Sequence, residues 1–447
     1  MRRPWAAVFA VMFFATWAGN QFSPLLLFYQ ERHDYSTTAV NAFLGVYVLG
    51  LVPAFLLGGA LSDRYGRRPV MFVGVLAAVA ASVALGFGET GAFMICLGRF
   101  FAGIAVGTAT CVGASWMKEL SQGPFDPGAD ATAGARRATL AFALGSATGA
   151  VLAGLIAEWG PWPEQLPFAI HAALTIPFAW LVLKVPETAG GAALRFGVPS
   201  ARHRRFTRVV VVAAPWVLVA AAIGYGYLPV LVAETTPGWG TAYATLLTGV
   251  ALASSSLAQP WVRRFDSPKS ARGLLIGLVG VVAGIALSAV AVQVQSWPLG
   301  IAAASIAGAG MGIGMVSGLL EVQRIAGAAG LAGLTGVFYA VAYSGFLVPT
   351  ALSAIADASG TPAAALLFAL AGLGLVCALV VWRVSRRHLP GQDVAVSEGV
   401  GSPVGVGVAS VGSADSSVGV VSSTGSSVDS SVGVSPASAR SETHSGY

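Results

Sequence analysis

The segment GGALSDRYGRRPV, from Gly58 to Val70, separates two long apolar runs near residues 39 to 61 and 70 to 88. An apolar run of about 18 residues or more is long enough to cross the hydrocarbon layer of a membrane as an α-helix. The segment between the runs is short, carries one acidic and three basic side chains, and contains glycines that can form a tight turn. This part of the sequence therefore predicts two helices in the bilayer, joined by a charged loop.

The composition extends this interpretation to the whole chain. Of 447 residues, 55% are apolar and only 10% are charged, and the mean hydropathy is +0.75, whereas about a quarter of the residues in a soluble domain are charged. The net charge of +6 is not gathered in basic runs interleaved with aromatic residues, so we expect no nucleic-acid partner. The lipid bilayer is the expected environment.

Cysteine usage gives no sign of a disulfide framework or a metal centre. Cys96, Cys111 and Cys377 all lie within apolar runs, have no CxxC spacing and are odd in number. We interpret them as small core residues, and we expect no cofactor and no metal.

Twelve apolar runs, broken by charges, Pro and Gly, predict an all-α membrane protein with twelve transmembrane helices. The first run is long and has no small-residue cleavage site, which favours a retained span over a signal peptide. The predicted spans lie near 5 to 28, 39 to 61, 70 to 88, 92 to 116, 138 to 157, 167 to 184, 209 to 228, 242 to 261, 273 to 293, 299 to 320, 331 to 355 and 363 to 382.

An even number of spans places both termini on one side of the membrane, and the distribution of charge indicates which side. Nearly all Lys and Arg lie in loops on the side of the termini, the exceptions being Arg32 in an opposite loop and Arg99 within a span. Because Lys and Arg in short loops stay in the cytoplasm, we expect cytoplasmic termini and a location in the cytoplasmic (inner) membrane.

A polar stretch from Val185 to Arg208 divides the spans into two sets of six. We expect an N-terminal six-helix bundle over 1–188, a cytoplasmic linker over 189–208 and a C-terminal six-helix bundle over 209–387. From 388 to 447 the chain is rich in Gly, Ser and Val without helical period, so we expect a disordered cytoplasmic tail. Two such bundles are typical of transporters that rock around a site near the middle of the membrane.

The charged loop resembles the loop signature of the major facilitator superfamily, G-x-L-A-D-R-x-G-R-[RK]. Ser62 replaces the usual Ala. The matching positions are Gly59, Leu61, Asp63, Arg64, Gly66, Arg67 and Arg68. The resemblance covers roughly residues 5 to 385 and implies a secondary transporter, built from two six-helix bundles, and not an enzyme.

We interpret the charged loop as a conformational latch. Gly59 would permit a close helix approach near the membrane exit, and Gly66 would permit a tight turn. Asp63 could then meet a helix N-terminus or an Arg across the bundle interface in only one orientation of the bundles. An alternative for the three arginines is that they only obey the positive-inside rule, which does not account for the Asp and the glycines.

The fourth predicted span contains LGRFFAGIAVGTATCVGASW, whose Arg99, Gly103 and Gly107 resemble the R-x-x-x-G-x-x-x-G run of the same family. A central Arg costs about 2.5 to 3.5 kcal/mol on insertion scales, so Arg99 is expected to face the bundle interior or water. The resemblance implies a role for Arg99 in proton coupling or in organising the cavity. Gly103 and Gly107 lie one turn apart on one face, which favours helix packing.

The fifth predicted span contains GSATGAVLAG, which partly resembles the G-x-x-x-G-P-x-x-G-G run of proton-linked exporters. Ala150 stands where the Pro is expected and Ala153 where a Gly is expected, so the kink of the exporter pattern is absent. We expect Gly145, Gly149 and Gly154 to serve helix packing, and the run supports efflux only weakly.

The second half of the chain keeps a degenerate counterpart of the charged loop. Arg263, Arg264 and Asp266 stand in the equivalent loop without the glycines, and simple topology determinants explain them equally well. Glu321 and Arg324, where the tenth span reaches the cytoplasm, are candidates for a gate pair, with a solvated ion pair as the alternative.

Polar and aromatic side chains within the predicted spans are candidates for the substrate cavity. An amide in an apolar setting needs a partner, which can be the substrate or a neighbouring helix. Aromatic side chains often only pack or sit at the membrane interface. The candidates are Asn20, Gln21, Tyr225, Gln259, Tyr339 and Tyr343.

No Asp or Glu stands near the middle of a predicted span, which limits how a proton could be coupled to transport. The remaining groups are Asp34, at the outer mouth of the second span, and His171 in the sixth span acting with Arg99. His171 can titrate in the physiological range, or it can be a hydrogen-bonded structural residue. Uncoupled transport is a third alternative.

These patterns predict a monomeric transporter that exports amphipathic compounds, with a small organic molecule as substrate and the proton as coupling ion. Uptake of a metabolite such as a sugar or an organic acid is the alternative within this class. A non-transporting membrane receptor or scaffold is the alternative of another class. A membrane enzyme would need a catalytic set such as Ser/His/Asp or HExxH, which the predicted spans lack.

Overall fold

Thirteen α-helices and no β-strand make up the part of the chain that the computed structural model describes, which is residues 3–130, 133–194, 197–326 and 331–387. The helices are α1 (Pro4–Asn20), α2 (Leu26–His33), α3 (Thr37–Tyr65), α4 (Arg67–Gly86), α5 (Ala92–Leu120), α6 (Ala133–Trp159), α7 (Leu166–Val182), α8 (Phe206–Leu231), α9 (Gly240–Phe265), α10 (Arg272–Gln293), α11 (Trp297–Ile325), α12 (Leu331–Ser359) and α13 (Ala363–Val384). Short π or 3₁₀ turns continue α5, α8, α9 and α12 without a break. The predicted tail over 388–447 lies outside the described residues.

Ten of these helices, α3 to α6 and α8 to α13, are long and apolar enough to cross a membrane. The other two long apolar helices, α1 and α7, have 17 residues each, which corresponds to a length of about 26 Å. A turn at Ser23–Leu25 and the helix α2 prolong α1. The prediction of an all-helical membrane protein is therefore confirmed, whereas the prediction of twelve spans requires that both shorter helices cross the membrane.

The ends of α3 are set by residues with special backbone roles. Ser36 caps its start, because its Oγ accepts the N–H of Ala39 at 3.2 Å. Beyond Tyr65, Gly66 has a φ of +104°, a conformation that residues with a Cβ rarely adopt. The chain thereby turns within one residue, and α4 begins at Arg67.

Helices on either side of the linker pack among themselves, and the two sets meet mainly through two helix pairs. Before the linker, α5 packs against α3 and α4, and α1 packs against α6. After it, α11 packs against α9 and α10, and α10 packs against α13. The pairs α3 with α12 and α6 with α9 join the two sets of helices.

Glycines permit close contacts between helices of the first set. A Cβ at Gly103 would collide with the carbonyl oxygen of Tyr47, and Gly107 continues this contact between α5 and α3 one turn later. Between α6 and α1, Gly145 and Gly149 meet backbone atoms of the facing helix in the same way. Small residues at these positions let the helix backbones approach each other closely.

Candidate functional site

Arg67 holds together the charged side chains at the turn between α3 and α4. Its Nη1 donates to Asp63 Oδ1 at 2.7 Å and to Ser62 Oγ at 2.9 Å. Its Nη2 and Nε donate to the two carboxylate oxygens of Glu119, near the end of α5, at 2.8 and 3.3 Å. The side chain of Arg67 is 12% exposed and that of Glu119 28%, whereas that of Asp63 is 49% exposed. The bidentate pair with Glu119 is therefore the better shielded of the two.

Glu187, in the chain that follows α7, caps the start of α4. Its Oε1 and Oε2 accept the backbone N–H groups of Arg67 and Arg68 at 2.7 and 2.9 Å. A carboxylate is favoured there because the amino end of a helix carries a partial positive charge. A Cβ at Gly66 would lie 2.5 Å from Glu187 Oε2. Glu187 was not predicted to have a role, although this residue is the one acidic residue in the stretch from Val185 to Arg208.

In this conformation, three residues of the charged loop do not make the contacts that the latch hypothesis gives them. A Cβ at Gly59 would meet nothing within 4 Å, so this glycine is not required for a close helix approach. The close neighbour belongs to Gly58, where a Cβ would lie 2.9 Å from a cysteine sulfur of α5. Asp63 pairs with Arg67, four residues away, and not with a group across the interface. Arg64 is exposed.

Arg99 is buried between α1, α3 and α5, with 1% of its surface exposed. Its Nη1 donates to the carbonyl oxygen of Gly19 at 3.0 Å, and its Nε donates to that of Phe43 at 3.3 Å. Its guanidinium lies 4.5 Å from the ring centroid of Tyr47 and 4.9 Å from that of Phe22. Among the described residues, no carboxylate lies within ion-pair distance of it. The guanidinium thus faces the interior of the helix bundle and not lipid.

An aromatic cluster joins α3 to α12 beside this guanidinium. It consists of Tyr47, Phe55, Tyr339, Tyr343 and Phe346. The ring centroids of Tyr47 and Tyr343 are 6.0 Å apart, and those of Phe55 and Tyr339, which stack, are 5.0 Å apart. The structure therefore brings two predicted cavity residues, Tyr339 and Tyr343, to the interface next to the buried cation. Tyr47 and Phe55 were not among the predicted cavity residues, because nothing local in an apolar run marks which side chains will face a distant helix.

The remaining cavity candidates of the second half occupy turns within their helices. Tyr225 is 3% exposed and lies in the π turn Ala222–Tyr227 of α8. Gln259 begins the 3₁₀ turn Gln259–Trp261 of α9. Within the described ranges, no hydrogen bond links either side chain to the aromatic cluster.

Asn20 and Gln21 find hydrogen-bond partners on neighbouring helices. Asn20 Nδ2 donates to Ser146 Oγ of α6 at 3.0 Å, and Gln21 Nε2 donates to Ser82 Oγ of α4 at 2.9 Å. The Oε1 of Gln21 is buried without a hydrogen-bond partner in the described part of the chain. Both amide nitrogens thus serve helix contacts in this conformation.

His171 links α7 to α1 and α4 through a chain of hydrogen bonds. Its Nδ1 lies 2.7 Å from Ser82 Oγ, and its Nε2 lies 2.9 Å from the carbonyl oxygen of Phe14. Because a carbonyl oxygen can only accept, the contact with Phe14 requires a proton on Nε2, whereas the hydroxyl of Ser82 can either donate to Nδ1 or accept from it. The imidazole is therefore part of a packed hydrogen-bond chain within the first set of helices.

The last turn of α2 is tied to the loop after α6. Glu164, in that loop, pairs with Arg32 at 3.0 Å and with the imidazole of His33 at 2.9 Å. Asp34 is exposed and ends α2 in the left-handed conformation, with a φ of 52°. Among the described residues, no group of three or more His, Cys, Asp or Glu is arranged to hold a metal ion.

Glu321 carries a second charged cluster at the end of α11. Its two oxygens accept from Arg205 at the start of α8, with 2.9 Å between Nη2 and Oε1. Arg324 Nη1 donates to Glu321 Oε1 at 3.0 Å, and the same guanidinium pairs with Asp266. The predicted pair of Glu321 and Arg324 is thus formed. Its more deeply buried partner, Arg205, lies 116 residues away in sequence and carried no local signal.

Polar contacts between α3 and α12 lie at the end of α3 that is remote from the charged loop. Asn41 Nδ2 donates to Ser353 Oγ at 2.8 Å. One turn nearer the start of α3, Thr38 Oγ1 donates to Asp357 Oδ2 at 2.7 Å. Among the described residues, the hydrogen bonds between α3 and α12 lie on one side of the aromatic cluster.

The contact between α6 and α9 lies at the same end of the molecule, because the loop after α6 is tied to the segment before α3. Glu158 Oε2 accepts the N–H of Ala242 at 2.9 Å, and Gly154 packs directly on Thr245. Gly154, which was predicted to serve helix packing, thus packs against a helix of the second set. An apolar groove of about 420 Å³ lies between these helices; its lining residues are Val151, Leu155, Trp159, Ala242, Thr245, Leu246, Gly249, Val250 and Ala253.

Comparison with known sequences gives a family match over most of the chain. The family model described as Major Facilitator Superfamily matches residues 6–349. The uncharacterized MFS-type transporter YfkF of Bacillus subtilis is 31% identical over 173 residues, which cover 34% of this chain and 41% of that protein. Quinidine resistance protein 1 of Saccharomyces cerevisiae is 26% identical over 181 residues, or 39% of this chain and 30% of that protein. The multidrug resistance protein MdtL of Klebsiella pneumoniae is 32% identical over 84 residues, or 19% and 21%. The matches span less than half the length of these relatives.

Comparison with solved structures concerns the fold alone, because the sequence identities are low. A POT family transporter in complex with 5-aminolevulinic acid superposes with a TM-score of 0.68 at 13% identity, covering 86% of this chain and 96% of that one. A D-xylose–proton symporter superposes with a TM-score of 0.63 at 17% identity, covering 87% and 98%. The helical arrangement is thus shared over nearly the whole length of both structures.

Proposed function

The chain belongs to the major facilitator superfamily, and from this premise we propose that it is a secondary transporter that moves a small organic molecule across the cytoplasmic membrane by alternating access. In this proposal α1 and α7 also cross the membrane, which makes twelve spans. A six-helix bundle over 1–188 is joined by a linker over 189–208 to a second bundle over 209–387, and a tail over 388–447 follows. Both termini lie in the cytoplasm, as the distribution of Lys and Arg indicates.

One observation carries the transport mechanism. The two sets of helices meet through α3 with α12 and α6 with α9, and the polar contacts of both pairs lie at the end remote from the charged loop. These hydrogen bonds hold the bundles together at the end remote from the charged loop. They can be exchanged for contacts at the opposite end. Rigid-body rocking of two bundles about a shared site is how transporters built from two similar halves alternate their access.

The latch proposed for the charged loop acts within the bundles and not across their interface, because each charged cluster ties helices of one bundle. Arg67 with Glu119 ties α4 to α5, and Arg205 with Glu321 ties α8 to α11. Each cluster stiffens the cytoplasmic end of one bundle, so that the bundle moves as a unit. The bundles can then rotate against each other without losing their internal packing.

Efflux of amphipathic compounds is the proposed direction and substrate class. Relatives named for quinidine resistance and multidrug resistance support efflux, and a proton symporter with the same fold supports the proton as coupling ion. Proton coupling is assigned to His171 or to Asp34, because the predicted spans have no Asp or Glu near their middle. Arg99 organises the cavity in this assignment.

The test is a flux assay with purified full-length protein in proteoliposomes, with and without an imposed pH gradient, screened over dyes, antibiotics and sugars. Proton-coupled efflux requires that dyes or antibiotics move, and that their movement depends on the gradient. His171→Gln and Asp34→Asn, measured side by side, identify the coupling group by loss of that dependence. Gradient-independent movement overturns coupling, and movement of sugars alone overturns the proposed substrate class.

The proposed topology has its own test. Single cysteines are placed at Arg3 and at Arg387, which flank the first and last helices, in a background without the three native cysteines, and are labelled with a membrane-impermeant maleimide in sealed vesicles of known orientation. The proposal requires labelling of both from the cytoplasmic side. Labelling from opposite sides would contradict an even number of spans and the transport mechanism built on it.

A further inference from the structure

We propose that the guanidinium of Arg99 and the aromatic rings around it form a binding site for amphipathic organic anions, that is, molecules with one carboxylate or sulfonate group and an aromatic or other apolar body. This inference rests on the proposed transport function and specifies its substrate class. It concerns the same interface between the two sets of helices.

No full negative charge among the described residues compensates the charge of Arg99. Arg99 is 1% exposed, and in the described ranges no Asp or Glu lies within ion-pair distance. An isolated charge removed from water carries a large free-energy cost unless an opposite charge or several hydrogen bonds offset it. Because water screens the buried guanidinium poorly, it attracts a nearby anion strongly and repels a nearby cation.

The groups that already contact Arg99 offset its charge only in part. The carbonyl oxygen of Gly19 belongs to the last turn of α1, where carbonyl groups have no partner within the helix and carry a partial negative charge. The carbonyl oxygen of Phe43 lies inside α3, and its contact with Nε is long, at 3.3 Å. Neither group bears a full negative charge.

Arg99 also keeps donors that are free to bind a ligand. A guanidinium has five N–H groups in a planar fork. Two of them donate to the carbonyl oxygens named above, which leaves three without a hydrogen-bond partner in the part of the chain that the structure describes. Such a fork matches the geometry of a carboxylate or a related oxyanion.

The aromatic cluster supplies the surface for the apolar part of such a ligand. The ring of Tyr47 lies 4.5 Å from the guanidinium, and its centroid lies 6.0 Å from that of Tyr343, so a single aromatic side chain links the cation to α12 of the second set. Phe346 and Tyr339 extend the aromatic surface along α12. Rocking of the bundles would separate the rings of α3 from those of α12, and a ligand that enters between them and displaces the ring of Tyr47 would reach the guanidinium of Arg99.

The competing interpretation is that Arg99 has a purely structural role and links α1, α3 and α5 through hydrogen bonds. It accounts for the two carbonyl contacts and predicts no preference for the charge of a ligand. The two interpretations therefore differ in a measurable quantity, which is the selectivity between ligands that share one apolar body and differ in charge.

The experiment uses three probes on a naphthalene body: a naphthalenesulfonate, a naphthalenesulfonamide and a naphthylmethyl-trimethylammonium. Binding to the purified full-length protein and uptake into proteoliposomes are measured for each. The expected result is a preference of roughly tenfold or more for the sulfonate over the ammonium compound, since hydrogen bonds to charged groups are the strong ones. Arg99→Gln is expected to abolish the preference, and Arg99→Lys, which keeps the charge but not the fork, to retain part of it.

Controls separate charge at this site from charge elsewhere and from misfolding. Arg264→Gln removes one exposed cation, whose guanidinium lies over Trp261, and is expected to leave the preference unchanged. If Arg99→Gln fails to fold, Arg99→Lys carries the test, because a preference left undiminished in that variant would overturn the assignment to the guanidinium fork. A wild-type protein that binds the neutral or cationic probe as well as the sulfonate overturns the inference while transport stands. Binding of none of the three also overturns it, and the broader flux screen then decides the transport function separately.

Discussion

Arg205 and Glu321 form an ion pair that is almost completely withdrawn from solvent, with 0% and 2% of their side chains exposed. The pair joins the start of α8 to the end of α11, and Arg205 also donates to the carbonyl oxygens of Ser385 and Arg387, which follow α13. Three helix ends of the second set are thus tied at one point. A pair of this kind costs much to break, because each partner would remain as a buried, unpaired charge.

Glu321→Gln is expected to lower the free energy of unfolding by about 3 to 5 kcal/mol, as is usual when one partner of a buried pair is removed. The measurement is unfolding in detergent, followed by tryptophan fluorescence. The double variant with Arg205→Met and Glu321→Leu is expected to recover most of the loss. The exposed pair of Arg136 and Asp130, at 3.1 Å and with side chains 64% and 57% exposed, is the control. Arg136→Gln should cost at most about 1 kcal/mol, and an equal loss from both pairs would refute the role of burial.

Gly66→Ala is expected to destabilise the turn between α3 and α4, whereas Gly59→Ala is not. At Gly66 the φ of +104° with a ψ of 159°, a backbone region essentially restricted to glycine, and the nearby oxygen of Glu187 both oppose a Cβ; a residue with a side chain in that region costs about 1 to 3 kcal/mol. At Gly59, inside α3 with nothing within 4 Å, Ala is the better helix former by up to about 1 kcal/mol. Thermal unfolding of the two variants provides the comparison. Equal midpoints would show that the turn tolerates a side chain.

Substitutions at Asp63 and Glu119 are expected to slow transport to different degrees with little change in substrate affinity. Both residues bind Arg67, but Asp63 is 49% exposed and its pair is screened by water. Asp63→Asn should therefore reduce the rate by no more than about fivefold, whereas Glu119→Gln, which breaks the bidentate contact, should reduce it by roughly tenfold or more. Initial rates over a range of substrate concentrations separate the two parameters. A pure loss of affinity would count against the latch.

A cross-link between α3 and α12 is expected to stop transport reversibly. Thr38 and Asp357 touch across the two sets of helices, with 2.7 Å between Oγ1 and Oδ2, and alternating access requires that this contact opens. Thr38→Cys and Asp357→Cys, in a background without the three native cysteines, are joined by a short cleavable thiol-specific linker. Flux should fall to the level of empty liposomes and return when the linker is cleaved. Each single-cysteine variant, treated alike, is the control, and undiminished flux in the cross-linked protein would exclude opening at this end.

Local sequence features predicted the membrane class and the charged loop because both depend on short-range properties. A run of apolar residues needs only its own length to cross lipid, since every backbone hydrogen bond of a helix is made within the helix. The turn at Gly66 likewise depends on one residue without a Cβ. The free-energy cost of a charge in lipid was sufficient to predict that Arg99 faces inward, although it did not identify the partners of Arg99.

Only the tertiary structure decided which distant residues meet. The contact of Tyr47 with Tyr343, and that of Arg205 with Glu321, joins residues on helices that are remote in sequence, and no local periodicity encodes such pairs. Gly59 and Gly58 are neighbours of the same type, yet only the packing of α5 against α3 determines that Gly58 carries the close contact. The sequence by itself therefore determined the membrane environment, the apolar helices and the charged turn, because each of these depends on residues that are close together in the chain. The packing of whole helix faces determined the candidate site, because adjacent positions on a helix point about 100° apart and only assembly selects which face is covered.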